Sequence, residues 1–222
     1  MGHIWYLGHS GFEIEIGGSV IYIDPVLEWK EMECRVKPPL KVDEIDKADL
    51  VMITHEHKDH FEKSTVERIV AKTNATVIAP KQVLKELEIP SSNRMAVSVG
   101  EEFVVKGVEV KVVKAVHPQS EYPVGYIIKK GGKSIYHAGD TYEFGGMFDI
   151  EADYALIPIG GTYTMDIYSA HKAVKELKCR YVIPMHYNTF ERIKQSVSDF
   201  VRGVDTDKVK PIVMKAGDMI EI

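Results

Sequence analysis

The stretch Thr54-His55-Glu56-His57-Lys58-Asp59-His60 holds three histidines and one aspartate within six residues. It follows residues 50–54, a short apolar run that reads as a buried strand. It precedes residues 62–72, where Val66, Ile69 and Val70 recur at helical spacing. The run therefore occupies a strand-to-helix turn. On extended backbone, His55 and His57 leave on the same side. The turn after them brings Asp59 and His60 to a second point nearby. Imidazole together with carboxylate suits zinc, iron or manganese. One histidine pair would ordinarily be a solvated loop; four such side chains at this spacing argue against that.

A metal needs three or four protein ligands, so others must come from further along the chain. His117 follows a strand at 108–116, Asp140 a strand at 134–137, and His186 a strand at 181–184. Each lies just past a strand end, where the ligands of α/β proteins gather. Gly139 permits tight backbone beside Asp140. The full set is His55, His57, Asp59, His60, His117, Asp140 and His186, and seven ligands suggest two metals with one bridging carboxylate.

Outward from this centre, the chain opens as a meander of strands at 4–7, 12–16 and 20–23, the last pair joined by Gly17-Gly18. Residues 24–48 read as a long surface connection. Strand and helix alternate at 75–79 and 81–87. Strands at 103–106 and 108–116 follow, then a hairpin of 124–129 and 134–137 around Gly131-Gly132. Strands at 154–158 and 181–184 flank a helix at 168–177. A helix at 190–201 and strands at 211–214 and 219–222 complete the chain. This order suits an α/β (α+β) fold of four layers, two mixed sheets with helices outside. No linker composition divides it, so residues 1–222 read as one domain.

The 222 residues are 45% hydrophobic and 27% charged, enough apolar content for a sizeable core. The net charge of -5 gives no basic footprint for a duplex nucleic-acid reader. A nucleic acid held at the metal site is not excluded by that. No apolar run reaches the ~20 residues of a membrane span, and the N-terminus lacks the pattern of a signal peptide. Cys34 and Cys179 then read as free thiols in a reducing cytoplasm.

The His-x-His-x-Asp-His pattern at residues 55–60 resembles the signature of the metallo-β-lactamase superfamily. The chain is similar in particular to a bacterial and archaeal branch described as metal-dependent hydrolases. The resemblance rests on Tyr6-Leu7-Gly8-His9-Ser10, Tyr136-His137-Ala138-Gly139-Asp140-Thr141, Pro158-Ile159-Gly160, Thr164-Met165 and Pro184-Met185-His186-Tyr187-Asn188-Thr189-Phe190. The ascorbate-6-phosphate lactonase group is a relative of that branch. The resemblance implies an αβ/βα sandwich with its site at one edge between the sheets. It implies His55, His57 and His117 on a first metal, Asp59, His60 and His186 on a second, and Asp140 as the bridge. It also implies a homo-oligomer. Two places depart from the branch: Pro118-Gln119-Ser120 after His117, and Gly160-Gly161-Thr162-Tyr163 before Thr164-Met165-Asp166. Both concern the substrate side.

Four further residues could touch substrate or support the ligands. His9 sits on a turn that the resemblance places near the site, and a capping role is equally open. Asp166 either caps the helix at 168–177 or orients a ligand histidine. Tyr187 and Asn188 follow His186 and either meet substrate or pack under the loop. His137 reads as a hydrogen-bonded core residue, and Asp24-Pro25 as shaping a loop beneath the site.

The chemistry implied is hydrolysis of a small anionic ester, lactone or phosphodiester by a hydroxide held between two divalent ions, zinc before manganese or iron. Asp59 is the candidate for proton transfer. Three other classes compete. A nuclease-like phosphodiesterase shares the motif, but such relatives carry an extra nucleic-acid domain. A di-iron redox protein differs at the second histidine, here His57. A non-catalytic metal-binding protein would not need all seven ligands.

Overall fold

The computed structural model describes residues 2–30, 32 and 34–222; Met1, and Glu31 and Glu33 of the long connection, lie outside the described residues. The first half builds β1 (His3–Gly8), β2 (Gly11–Ile16), β3 (Ser19–Ile23), β4 (Leu50–Met52), α1 (Lys63–Thr73), β5 (Thr76–Ala79), α2 (Lys81–Glu86) and β6 (Arg94–Ala96). The second half builds β7 (Glu102–Val105), β8 (Val108–Lys114), β9 (Val124–Lys130), β10 (Lys133–His137), β11 (Glu151–Pro158), α3 (Ile167–Glu176), β12 (Lys178–Met185), α4 (Val197–Gly203), β13 (Lys210–Pro211) and β14 (Met219–Glu221).

Two seven-stranded sheets result, ordered β14-β1-β2-β3-β4-β5-β6 and β13-β12-β11-β10-β9-β8-β7. Each has antiparallel pairs over one part and parallel pairs over the other, so both are mixed. The alternation Phe12-Glu-Ile-Glu-Ile16 shows why they stack. Phe12, Ile14 and Ile16 are buried, while Glu13 and Glu15 keep partial access to water. The inner faces of both sheets interdigitate there, Phe12 and Ile14 sharing a core with Val110, Tyr126 and Ile183.

The outer faces are covered by helices. Val66, Ile69 and Val70 of α1 and Val83 of α2 bury against Val51 and Val77 of the first sheet. Ala170, Ala173 and Val174 of α3 and Phe200 of α4 bury against Ala155, Ile157 and Val182 of the second. The order is helix, sheet, sheet, helix, the four-layer sandwich expected from the sequence.

Four details differ from the sequence reading. The connection 24–48 is not all surface, because Val26, Leu27, Val42 and Ile45 are buried. The short edge strand β6 carries no apolar pattern and was not visible. The expected helix 190–201 is broken into a turn at Glu191–Ile193 and α4. Asn188 explains the break: its Oδ1 accepts from the Gln195 amide at 2.9 Å and its Nδ2 donates to the Gln195 carbonyl at 3.1 Å. Those bonds satisfy the backbone of residue 195 outside any helix. In place of the strand expected at 211–214 stands the two-residue β13, after which the Ile212 amide still donates to the Val182 carbonyl at 2.8 Å. Among the described residues no helix is long and apolar enough to cross a membrane, and Cys34 and Cys179 are free.

Candidate metal centre

The parallel strands β3, β4, β11 and β12 and the neighbouring β8 and β10 end at one edge of the sandwich. The 55–60 run leaves β4 there and doubles back, since the His57 carbonyl accepts from the amides of His60 at 2.9 Å and Phe61 at 2.7 Å. Phe61, fully buried, anchors the exit into α1. His117 follows β8, Asp140 follows β10 and His186 follows β12, as the sequence placed them. Gly139 lets Asp140 come close: a Cβ at its φ of +60° would meet Thr54 Cβ and the Val124 carbonyl at 2.9 Å.

Hydrogen bonds fix which nitrogen His55, His57, His117 and His60 offer. Thr54 Oγ1 donates to Asp24 Oδ2 at 2.7 Å and so accepts from His55 Nδ1 at 2.9 Å. His55 Nε2 is left free and buried. His57 Nε2 lies 3.1 Å from the Gln119 carbonyl, leaving Nδ1, which sits 3.2 Å from His117 Nε2. His117 Nδ1 donates to the Tyr163 carbonyl at 3.1 Å. Ligating atoms of His55, His57 and His117 thus converge within 4.8 Å of one another.

The second cluster is built around carboxylates. His60 Nδ1 donates to Asp24 Oδ2 at 2.7 Å, and its Nε2 lies 3.2 Å from Asp140 Oδ1. His186 Nε2 lies 3.2 Å from Asp140 Oδ2 and 3.7 Å from Asp59 Oδ2. Asp59 is held in turn by His9 Nε2 at 3.2 Å, and His9 Nδ1 pairs with Thr189 Oγ1 at 2.6 Å. The His9 carbonyl accepts from the His186 amide at 2.7 Å and from the Tyr6 hydroxyl at 2.8 Å. His9, Asp59, His60 and His186 form a second possible ligand group. Backbone strain gathers here, with positive φ at His9, Asp24, Tyr163 and His186.

The two clusters differ electrically. Burial drives His55 well below the ordinary histidine range, and the charge of His60 adds to it. Burial alone would also lower His60 and His186. The Asp140 carboxylate outweighs it in both, with help from Asp24 at His60 and Asp59 at His186, so His60 stands well above its usual value and His186 is pushed up to about 9. Asp140 is held far below the carboxylate range despite burial, by His186 and His60. Asp59 is held low by its bonds to His186 and His9, again against burial. His9 itself is lowered by burial and by His186 to about 4.

His55 Nε2, His60 Nε2, both His186 nitrogens and Asp140 Oδ1 are buried with no aligned hydrogen-bond partner among the described residues. Orphaned buried atoms are costly in a protein unless something else satisfies them. Imidazole and carboxylate donors crowded this way fit divalent zinc, manganese or iron. Beside them opens a cleft of about 520 Å³, whose walls include Met32, Gln119, Tyr163, Phe190 and Arg192. A cavity of about 570 Å³ beside Cys179 and α3 is larger. Among the described residues, no group of ligating side chains that could hold a metal lies there.

The remaining expectations separate. His137 is the core residue anticipated, donating to the Ser10 carbonyl at 2.9 Å and accepting from the Gly139 amide at 3.1 Å. Asp166 is a helix cap and orients no histidine: its Oδ1 accepts from the Ser169 amide at 2.8 Å. Tyr187 packs against the outer core of the second sheet and Asn188 pins Gln195, so neither lines the cleft. His9 lies behind Asp59. Asp24 is the residue the sequence undervalued. Its sequence context suggests only a loop shaper, yet its carboxylate bonds Thr54 and His60. Its place at the end of β3, on the edge where the ligands gather, was the available signal. The Tyr163 carbonyl is backbone and left no signal.

A family model for the beta-lactamase superfamily domain matches residues 3–186. The chain belongs to that superfamily, whose metal-dependent members have this fold, and it is a metal-dependent hydrolase. Its relatives lie in the branch of UPF0173 metal-dependent hydrolases. One from Caldivirga maquilingensis is 35% identical over 232 residues, covering 100% of this chain and 99% of the relative. Another, from Sulfurisphaera tokodaii, is 35% identical over 234 residues, covering all of both chains. The solved structure of Igni18, a metallo hydrolase of the archaeon Ignicoccus hospitalis, superposes with a TM-score of 0.83 at 32% identity, covering 99% of this chain and 97% of that one.

Proposed function

We propose that the chain, as one domain, hydrolyses a small anionic ester, lactone or phosphodiester at a dinuclear metal centre. The observation that carries this reading is the reach of Asp140. Its Oδ1 lies 3.2 Å from His60 Nε2, and its Oδ2 lies 3.2 Å from His186 Nε2 and 3.8 Å from His117 Nε2. His117 belongs to the histidine-only cluster, and His60 and His186 to the carboxylate-rich one. A single carboxylate that faces both is what a bridge requires.

His55, His57 and His117 would hold one divalent ion, Asp59, His60 and His186 the other, and Asp140 would join them. Zinc is the first candidate, manganese or iron the others. Bound divalent ions supply a coordinated water with its pKa lowered to about 7 and polarise the electrophilic oxygen. The chain's own residues do the rest. Asp24 and Thr54 keep His60 and His55 in the tautomers that face inward. His9 Nε2 holds Oδ2 of Asp59, the oxygen that also faces His186 Nε2, and Asp59 is the residue that would receive a proton.

The test is elemental analysis of fully metallated protein followed by a screen of lactones, esters and phosphodiesters with added zinc or manganese. About two metals per chain and turnover abolished by chelation are expected. One tightly bound metal with no second would overturn the dinuclear reading.

A further inference from the structure

Arg192 stands on the turn that forms one wall of the metal-side cleft. Its backbone is fixed to the facing loop, because Thr162 Oγ1 donates to the Arg192 carbonyl at 2.7 Å. Its exposed guanidinium pairs with no carboxylate among the described residues. The acids around it are engaged elsewhere. Glu191 pairs with Arg35 and, at 2.6 Å, with Lys194. Glu56, across the cleft, accepts from Ser120 Oγ and from the Glu121 amide, each at 2.8 Å.

Next to this unpaired cation the cleft is apolar. Tyr163 is 49% exposed, a large share for an aromatic ring held in the left-handed region at φ 62°. Phe190 is held in place by ring contacts to Trp29 at 5.6 Å and His9 at 5.3 Å. Met32 and Ile193 extend this apolar wall, and Glu56, Lys58, Gln119 and Thr162 line the rest of the cleft. A cleft of about 520 Å³ with an apolar wall on one side and polar groups on the other suits a small molecule with an apolar body and a charged end. A fork of donors with no acid of its own matches a carboxylate or phosphate.

We propose that Arg192 binds a terminal oxyanion of the substrate, at the end remote from the bond that is cleaved. The substrate class is then a small ester or lactone with a short apolar body that carries an anionic group at its far end. The body lies along Tyr163 and Phe190 and the anion on Arg192. This rests on the hydrolase reading above but is separable from it.

The experiment uses metal-loaded protein and matched probes. Hexanoate, adipate and 6-phosphonohexanoate are titrated by calorimetry; they share one carboxylate and differ at the far end. Wild type should bind adipate or 6-phosphonohexanoate roughly 5- to 10-fold more tightly than hexanoate, as expected for an exposed bidentate pair. The tighter of the two tells carboxylate from phosphate. Arg192→Gln should erase the preference and Arg192→Glu reverse it, while Lys194→Gln, a neighbouring cation outside the cleft, should keep it. In turnover, the kcat/KM of mono-4-nitrophenyl adipate relative to 4-nitrophenyl hexanoate should fall by a similar factor in Arg192→Gln, mainly through KM. No preference in wild type, or a preference that survives in Arg192→Gln, overturns the assignment. If neither ester is cleaved but the binding preference depends on Arg192, the subsite stands and the ester reading of the function fails.

Discussion

Oδ2 of Asp24 lies 2.7 Å from Nδ1 of His60, and both side chains are fully buried. The same oxygen accepts from Thr54 Oγ1, which in turn faces His55 Nδ1. One carboxylate therefore sets the ring orientation of two histidines, one in each cluster. Asp24→Asn keeps the shape and tolerates the left-handed backbone, but it removes the charge and can turn a donor toward the His60 N–H. Metal affinity should fall by about 10- to 100-fold, the usual cost of losing such a partner. Metal content after dialysis against a buffered metal series checks this, with near-ultraviolet dichroism to confirm the fold. Wild-type affinity in a folded Asp24→Asn protein would show that the contact is structural only.

Asp140→Asn tests the bridge. An amide neutralises neither ion and bridges poorly. At least one metal should be lost and turnover should drop by about 10²-fold or more. Asp166→Asn is the control, because asparagine caps a helix about as well as aspartate. It should keep metals and rates. An Asp140→Asn protein with two metals and wild-type rates would dismiss the bridging role.

The sequence made the candidate ligands legible because each is a titratable side chain just past an apolar run, and strand ends can be found from apolar runs. The alternation around Phe12 and the helical spacing of Val66, Ile69 and Val70 likewise revealed the layers. What stayed hidden was held by contacts between distant residues. Residues 190–201 have a helical composition, and bonds to residues outside the segment, among them those from Asn188 to Gln195 and from Thr162 to Arg192, interrupt the helix. Asp24 lies 36 residues from His60, and its place at a strand end hints at the site without naming His60 as its partner. Arg192 adjoins Glu191 in sequence, and only folding turns that acid to Arg35 and Lys194 instead.

Without metal, the protein should lose stability as pH rises. His186 stands at about 9 and His60 is also raised, so their folded values exceed the unfolded one of about 6.5. Their contribution is fully present below about 6.5 and is lost as pH climbs through 9. Asp59 and Asp140 are depressed and stay ionised throughout that range. His9 and His55 are lowered; they oppose the trend only below about 6.5, where the unfolded chain takes up their protons. Chelated protein should therefore melt several degrees lower at pH 9.5 than at pH 7. A Tm that is flat or rising over this interval would refute the charge arrangement.

The same protons should leave when metal binds. Asp140, with Asp24 at His60 and Asp59 at His186, favours the protonated form of both rings in the metal-free chain, whereas a ligand imidazole must be neutral. Loading both sites should release about two protons per chain, read from calorimetric titrations in buffers of different ionisation enthalpy. Release near zero would mean that neither ring is a ligand.

Glu56 lies between two ligands in sequence and binds no metal in this reading, yet it ties the 117–121 loop to the 55–60 turn. Its carboxylate takes the Ser120 hydroxyl and the Glu121 amide, and Ser120 closes its own turn by donating from its amide to the His117 carbonyl at 3.0 Å. The effect should therefore fall on the histidine-only cluster and spare the carboxylate-rich one. Glu56→Gln keeps one acceptor and presents an amide to the other donor, so the affinity of one metal should weaken by about 3- to 10-fold while the second is unmoved. Glu56→Ala should weaken it further. Competition with a chromophoric chelator resolves the two affinities separately. Equal loss at both sites would mean that Glu56 supports the whole edge of the sandwich and not the His117 loop, and no loss at either would mean that the loop is held without it.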